Sequence, residues 1–210
     1  MAFWWVSQNK TYQHESSGGY LWAPQTDSRG NTPYHWKNME AVLPGDLIFS
    51  YVGQAIAAVS VALEGASPAE QPAGFEREGD WNKHGWQIPA RYLILPEPVA
   101  IKTLPDELVS ILKGEYRPLD VNGGGKQAYL FEIPPEAGRQ LLEIVEGAVG
   151  ADLDLLQDLN PGASKLHRES RETEREALAK SRIGQGRFKD DLMKFWGSKC
   201  ALTGVTTACL

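Results

Sequence analysis

The sequence of 210 residues predicts an α+β fold, and three observations carry that expectation. Short runs of aromatic and β-branched residues, broken by turn residues, fill the first half: residues 3–6, 47–52, 56–63 and 92–95. Such runs suit pleated, half-buried strands. From Pro105 the pattern changes, with Asp106 and Glu107 ahead of Leu108, Ile111 and Leu112 and then Lys113 and Gly114. Acid first, cation last and a terminal glycine mark a helix. Residues 164–180, finally, alternate Arg and Glu, with Arg168, Arg171 and Arg175 spaced for pairing with Glu172 and Glu176, as in a solvated connector helix.

Composition bounds the function classes. A hydrophobic share of 42% with 10% aromatic residues supports a real core and excludes wholesale disorder. No run of 18 apolar residues offers a helical membrane span. The Met-Ala-Phe-Trp-Trp start lacks the pattern of a secretory signal, so a cytoplasmic protein is expected. Cys200 and Cys209 sit too close to the end to build a disulfide framework, and without partnered Cys or His they predict no metal site. No spacing suggests a catalytic triad, so no catalytic residue is predicted. The net charge of −6 is uneven: 6 Lys/Arg against 9 Asp/Glu over residues 1–92, 5 against 12 over 93–162, and 10 against 6 over 163–210. An acidic body weakens sequence-blind phosphate binding but leaves room for a pocket that reads one base with a few local cations.

Along the chain, residues 3–7 open as a strand with Phe3 and Trp5 on one face and Trp4 and Val6 on the other. One tryptophan is expected in the core, and the other has the option of facing a pocket. Ser7-Gln8-Asn9-Lys10 ends the strand as an ordinary turn or as hydrogen-bonding contacts to a polar ligand. Residues 14–19 read as a polar, flexible stretch, and residues 24–31 as a loop after Trp22. Thr32 as N-cap and Pro33 as first helical residue begin a short helix, with Trp36, Met39 and Val42 on its core face. His35, Lys37 and Asn38 point elsewhere, structural or in touch with a phosphate or base. Pro44-Gly45-Asp46 is turn chemistry. Residues 56–63 make a central strand, and residues 65–80 a long loop. Gly123-Gly124-Gly125-Lys126 lacks the spacing and the Ser/Thr of a nucleotide-binding loop. Residues 127–133 and 135–145 close the domain as strand and helix.

Within this order stands a polar loop carrying two tryptophans five residues apart, Trp81-Asn82-Lys83-His84-Gly85-Trp86, just before the strand at residues 92–95. Together with Trp4-Trp5, Gly19-Tyr20-Leu21-Trp22-Ala23-Pro24, His35-Trp36-Lys37-Asn38-Met39 and Gly45-Asp46, this arrangement resembles the EVE/YTH branch of the PUA-like superfamily over about residues 3–148. The resemblance implies a small mixed β-barrel with flanking helices that takes a modified base into an aromatic cage. Carried over position by position, the cage falls on Trp22, Trp81 and Trp86. Base-edge candidates are Ser7, Asn9 and Asn38. Phosphate-contact candidates are Lys10, Arg29, Lys37, Lys83, His84 and Arg91. For the glycine run at residues 123–126, a backbone contact to nucleic acid is implied only by this resemblance.

The tail adds a second resemblance. Ile183-Gly184-Gln185-Gly186-Arg187-Phe188, then Leu192, Phe195 and Trp196, then Cys200-Ala201-Leu202-Thr203-Gly204 are similar to the segment leading into an HNH nuclease of the restriction-enzyme type. The expected organisation is a base-binding domain over 1–148, a charged helical linker over 149–181 and the first part of an HNH domain over 182–210. The function this implies is recognition of 5-methyl- or 5-hydroxymethylcytosine in double-stranded DNA by base flipping, directing a nuclease to modified DNA. Homodimerisation of the intact protein is an option. Rival expectations are a YTH-like reader of N6-methyladenine in RNA, or a PUA-like partner-binding domain whose tryptophans are all core.

No cofactor is expected in this chain, while the nuclease would use a divalent metal such as Mg²⁺. The four histidines, His14, His35, His84 and His167, all precede the HNH-like segment, so none matches a nuclease histidine. The chain is therefore expected to bind modified DNA without cutting it. Incubation of the purified chain with methylated plasmid and Mg²⁺ or Mn²⁺ checks this, and cleavage that survives removal of contaminating nucleases would place an active site within these residues.

Overall fold

The computed structural model describes residues 1–73, 75 and 83–149. Contacts divide the chain into two units, Met1–Gly162 and Ala163–Leu210, and every described residue belongs to the first. Apart from residue 149, the linker and HNH-like segment read from the sequence lie outside the described residues.

The fold is α+β, a mixed sheet curled into a half-barrel with flanking helices. Its strands are β1 (Phe3–Ser7), β2 (Tyr20–Pro24), β3 (Leu47–Val52), β4 (Ala55–Ala62), β5 (Ser67–Glu70), β6 (His84–Ala100) and β7 (Leu130–Ile133). The helices are α1 (Tyr12–Gly18), α2 (Tyr34–Lys37), α3 (Asp106–Ile111) and α4 (Pro135–Val149). The strand order is β2-β6-β4-β3-β1-β7, with β5 also on β6. β1 and β3 run parallel and the other pairs antiparallel. The 17-residue β6 holds the sheet together, because its first part pairs with β2 and β5 and its second with β4.

Period-two alternation separates two cores. Phe3, Trp5, Phe49 and Tyr51 pack with Leu108 of α3 and Leu141 and Val145 of α4 on one face. Trp4, Val6, Ile48, Leu21 and Ile88 pack with Trp36 and Met39 on the other. Both opening tryptophans are therefore core, at 2% and 0% exposure, and the expectation that one of them faces a pocket is corrected. Gly138 lets α4 approach β1, since a Cβ there would overlap the Phe3 ring.

Several local expectations shift. Thr32 does not cap α2: Pro33 stands at the cap and the helix starts at Tyr34, while the Thr32 hydroxyl donates to the Gln25 carbonyl at 3.0 Å. Residues 65–80 are not one loop, because β5 pairs with β6 inside them. Trp86 lies within a strand, not a loop. Residues 14–19, read as flexible, belong instead to α1 (Tyr12–Gly18) and to Gly19, which stops it in the left-handed conformation at φ 69.

Gly45-Asp46 is turn chemistry, as read. Gly45 takes φ 88, and the buried Asp46 carboxylate accepts from Ala2 N (2.6 Å), Trp4 Nε1 (3.0 Å) and Leu43 N (3.0 Å). The carboxylate thus ties the chain start to the β3 turn. Asp46→Ala leaves these donors without their acceptor and is expected to destabilise the domain by about 2–4 kcal/mol, measured by urea unfolding. A loss below about 0.5 kcal/mol, the usual surface value, would show that the tie contributes little.

Candidate base-binding pocket

A cavity of about 1050 Å³ opens beside β2. Five pieces of chain build it: the end of β1 with the turn after it (Ser7, Gln8, Asn9, Lys10, Thr11), His14 of α1, Trp22 of β2, His35 and Trp36 of α2, and Lys126 to Tyr129 ahead of β7. Phe75, from the segment between β5 and β6, completes the wall.

Trp22 is placed by its neighbours on β6. It pairs with Gln87, and a Cβ at Gly85 would overlap its Cε2 and Cζ2 atoms. Glycine at 85 is what lets the indole lie against the strand backbone. Phe75 meets Trp22 at a centroid distance of 5.4 Å and an interplanar angle of 77°, an edge-to-face contact. Trp22 is 1% exposed and Phe75 3%.

Beneath the aromatics lies a polar floor organised by Glu15, which is 0% exposed. Its Oε2 accepts from Gln8 Nε2 (2.7 Å) and Thr11 Oγ1 (2.8 Å). Its Oε1 accepts from the Trp22 N–H (2.9 Å) and from the Tyr129 hydroxyl. Trp22 N also donates to the Tyr129 hydroxyl at 3.0 Å. Gln8 Nε2 makes a second bond, to the Tyr92 hydroxyl (2.9 Å), which donates on to the Tyr20 carbonyl (3.0 Å). Burial pushes the Glu15 carboxyl up from 4.5 to about 7, against the lowering effect of its four donors. Two atoms of the floor, Ser7 Oγ and Gln8 Oε1, are buried without a hydrogen-bond partner among the described residues.

His35 Nδ1 accepts the Tyr129 N–H at 3.1 Å, so the neutral ring carries its proton on Nε2. Burial holds its pKa down to about 4, which keeps it neutral near pH 7. Lys126 Nζ is held by the Gly114 carbonyl and the Glu115 carbonyl, the latter at 2.8 Å, on the pocket side of the glycine run.

Of the residues expected from the sequence, the structure brings Trp22, Ser7, Asn9 and Lys10 to this pocket. Trp81 lies outside the described residues. Trp86 does not line the pocket: it pairs with Ala23, packs on the second core and so faces away from Trp22. One residue of offset along β2 reverses the face, and spacing in the sequence hides that. Asn38 is also elsewhere, because its Nδ2 donates to the Leu130 carbonyl (2.9 Å) and secures α2 to β7. Asn9 Oδ1 accepts the Gly53 N–H at 2.9 Å. Arg29, Lys37, Lys83 and Arg91 are exposed and stand apart from the pocket wall. His84 faces Glu70 at 2.7 Å, an acid beside an expected phosphate contact.

The sequence reading missed Glu15, Tyr129 and Phe75, and named Gln8 only as one of the four turn residues 7–10. Among the described residues no group of three or more His, Cys, Asp or Glu side chains could hold a metal, and no helix is long and apolar enough to cross a membrane.

The Glu15 shift fixes a pH dependence. A carboxyl whose folded pKa is raised binds its proton more tightly when folded, so its stabilisation is complete below about pH 4.5 and lost as pH rises through about 7. Wild type is therefore expected to lose stability relative to Glu15→Gln across that window, by an amount on the order of 3 kcal/mol. Thermal melts of both proteins at several pH values test this, and parallel curves would show that Glu15 titrates normally.

No protein-family profile and no curated protein matches the chain. Among solved structures it is similar to the YTH domain of Pho92 in complex with m6A, at 12% identity and TM-score 0.47, covering 73% of this chain and 86% of that one. It is also similar to human THYN1 in complex with DNA containing 5-methylcytosine, at 10% identity and TM-score 0.43, covering 70% and 98%. A protein from Pseudomonas putida aligns at 13% identity and TM-score 0.45, covering 69% and 100%. These likenesses concern the course of the chain and not its site.

Proposed function

We propose that the pocket takes up one modified base flipped out of double-stranded DNA, with cytosine methylated or hydroxymethylated at carbon 5 as its ligand. The observation that carries this reading is one cavity lined by an aromatic side chain, Trp22, and by Ser7 and Gln8, whose Oγ and Oε1 have no hydrogen-bond partner among the described residues. A flat heteroaromatic ring with a hydrogen-bonding edge matches both. Flipping costs a few kcal/mol of unstacking, and stacking on an aromatic returns roughly 1–3 kcal/mol per base. A snug apolar contact to one methyl adds about 10–200-fold in discrimination.

Trp22 is almost wholly covered, by the Gly85 backbone and by Phe75. Gly85 belongs to the sheet, whereas Phe75 comes from the segment after β5. The base therefore stacks on Trp22 by taking the place of Phe75. Trp81, as the sequence resemblance implies, supplies a further wall. The linker at 149–181 and the HNH-like segment at 182–210 then belong to a nuclease that this reader directs to modified DNA, with Mg²⁺ as the nuclease's metal.

A panel of one duplex carrying unmodified, methylated, hydroxymethylated or glucosylated cytosine, with N6-methyladenine DNA and RNA alongside, tests the reading. Tightest binding to methylated or hydroxymethylated DNA is expected; preference for the RNA would favour the YTH-like alternative, and indifference to modification would sink a base pocket. Trp22→Phe should weaken binding by about 1 kcal/mol, while Phe75→Ala should tighten it by removing the competing ring. With cations sparse around the acidic body, the log–log salt slope should be about −2 to −5. A slope near about −10 would mean a much larger phosphate footprint.

A further inference from the structure

We propose that Glu15 is the positioning residue that makes the pocket select bases bearing an amino group at the ring position where thymine and guanine carry a keto oxygen, by turning the Gln8 amide so that its Oε1 is left to accept a hydrogen bond from the ligand. This rests on the reading of the pocket as a base site. Both hydrogens of Gln8 Nε2 are used, one on Glu15 Oε2 at 2.7 Å and one on the Tyr92 hydroxyl at 2.9 Å. The amide is thereby locked, and its oxygen is a buried acceptor with no partner among the described residues. An unpaired buried acceptor is unfavourable, and the cavity that Gln8 borders is where a donor can come from. Cytosine and adenine carry an amino donor at the ring position where thymine and guanine carry a keto oxygen. The locked amide therefore favours the first pair.

The lock depends on position 15 accepting at both oxygens. The Trp22 N–H is backbone and cannot turn away from Oε1. An amide at position 15 must therefore keep its oxygen there and set its NH₂ where Oε2 stands, facing Gln8 Nε2 and Thr11 Oγ1. The Thr11 hydroxyl can rotate to accept. Gln8 can accept only by turning its amide over, which leaves Nε2, a donor, in place of the acceptor. Glu15→Gln thus changes what Gln8 offers while keeping size and shape.

The test measures binding of the full chain to duplexes with 5-methylcytosine, its analogue 5-methylpyrimidin-2-one lacking the amino group, or thymine, each opposite an abasic site so that extrusion is equally easy. Wild type is expected to lose about tenfold or more when the amino group is removed. Glu15→Gln should lose less than about threefold and gain on thymine, and Glu15→Gln with Gln8→Glu should recover the amino preference, because a carboxylate at position 8 accepts in either orientation. Unchanged discrimination in a folded Glu15→Gln variant overturns the inference, as does a wild type that binds modified duplexes equally well without the amino group. A wild type that binds no modified duplex overturns the base-site reading and this inference with it.

A second measurement needs no variant at position 15. Protonated Glu15 can donate at Oε2, which frees the Gln8 amide in the same way, so the amino preference of the chain should be weaker at about pH 5.5 than at about pH 8.5. The titratable groups facing Glu15 from the packed elements are Tyr20, Tyr92 and Tyr129, all held up by burial, while His35 behind Tyr129 is held down to about 4. His14 lies on the pocket wall with Lys10 and Lys126, so this arm is run in a His14→Gln background. An amino preference independent of pH there also overturns the inference.

Discussion

Glu15 joins the two ends of the strand path. β2 and β7 are the terminal strands, and the Trp22 N–H of β2 and the hydroxyl of Tyr129, one residue before β7, both bond to Glu15 Oε1. The half-barrel is therefore drawn together at its open side by a side chain and not by a backbone ladder. A buried carboxyl without partners would be strongly unfavourable. Here four donors converge on it, yet burial still dominates and lifts its pKa toward neutrality. The same contacts hold the pocket floor, so its shape and the closure of the sheet are one constraint.

The cations on the pocket wall are those of Lys10 and Lys126. His35 is locked as a neutral ring by the Tyr129 backbone, and the Lys126 ammonium is engaged with main-chain carbonyls. The charged groups expected to meet phosphates are mostly on exposed surface away from the cavity. On the proposed reading, a site of this kind would select by ring shape and hydrogen-bond pattern and gain little from long-range charge. The aromatic wall follows the same economy of parts: a glycine on β6 makes room for Trp22, and Phe75 covers it.

Particular residues show where legibility ended. The strands at residues 3–7 and 47–52 and the helix ending the domain were plain, because aromatic, β-branched and helical periodicities encode a burial face directly. Trp22 and the Ser7-to-Lys10 turn were legible as candidates, and all of them line the cavity. Trp86 misled, because spacing of five between tryptophans does not say which face of a strand each occupies. Glu15 gave no signal at all: it stands in Tyr-Gln-His-Glu-Ser-Ser-Gly, a run without apolar periodicity, and an acid in such a run reads as solvated.

The amino-acid sequence by itself determined the α+β class, the turn at Gly45-Asp46, the two faces of the opening strand and the core face of the helical stretch carrying Trp36 and Met39. Those properties are local, set by side-chain period and turn stereochemistry, and they survive without knowledge of partners. Only the tertiary structure decided that Glu15 is buried, that Gln8 is locked by it, and that Trp86 and Asn38 serve packing and not the pocket. The Glu15 network depends on donors from Gln8, Trp22 and Tyr129, as many as 114 positions from Glu15; Asn38 depends on the Leu130 carbonyl, and Trp86 on its pairing with Ala23. Burial and pairing at such separations are consequences of strand order and register, which neighbouring residues do not encode.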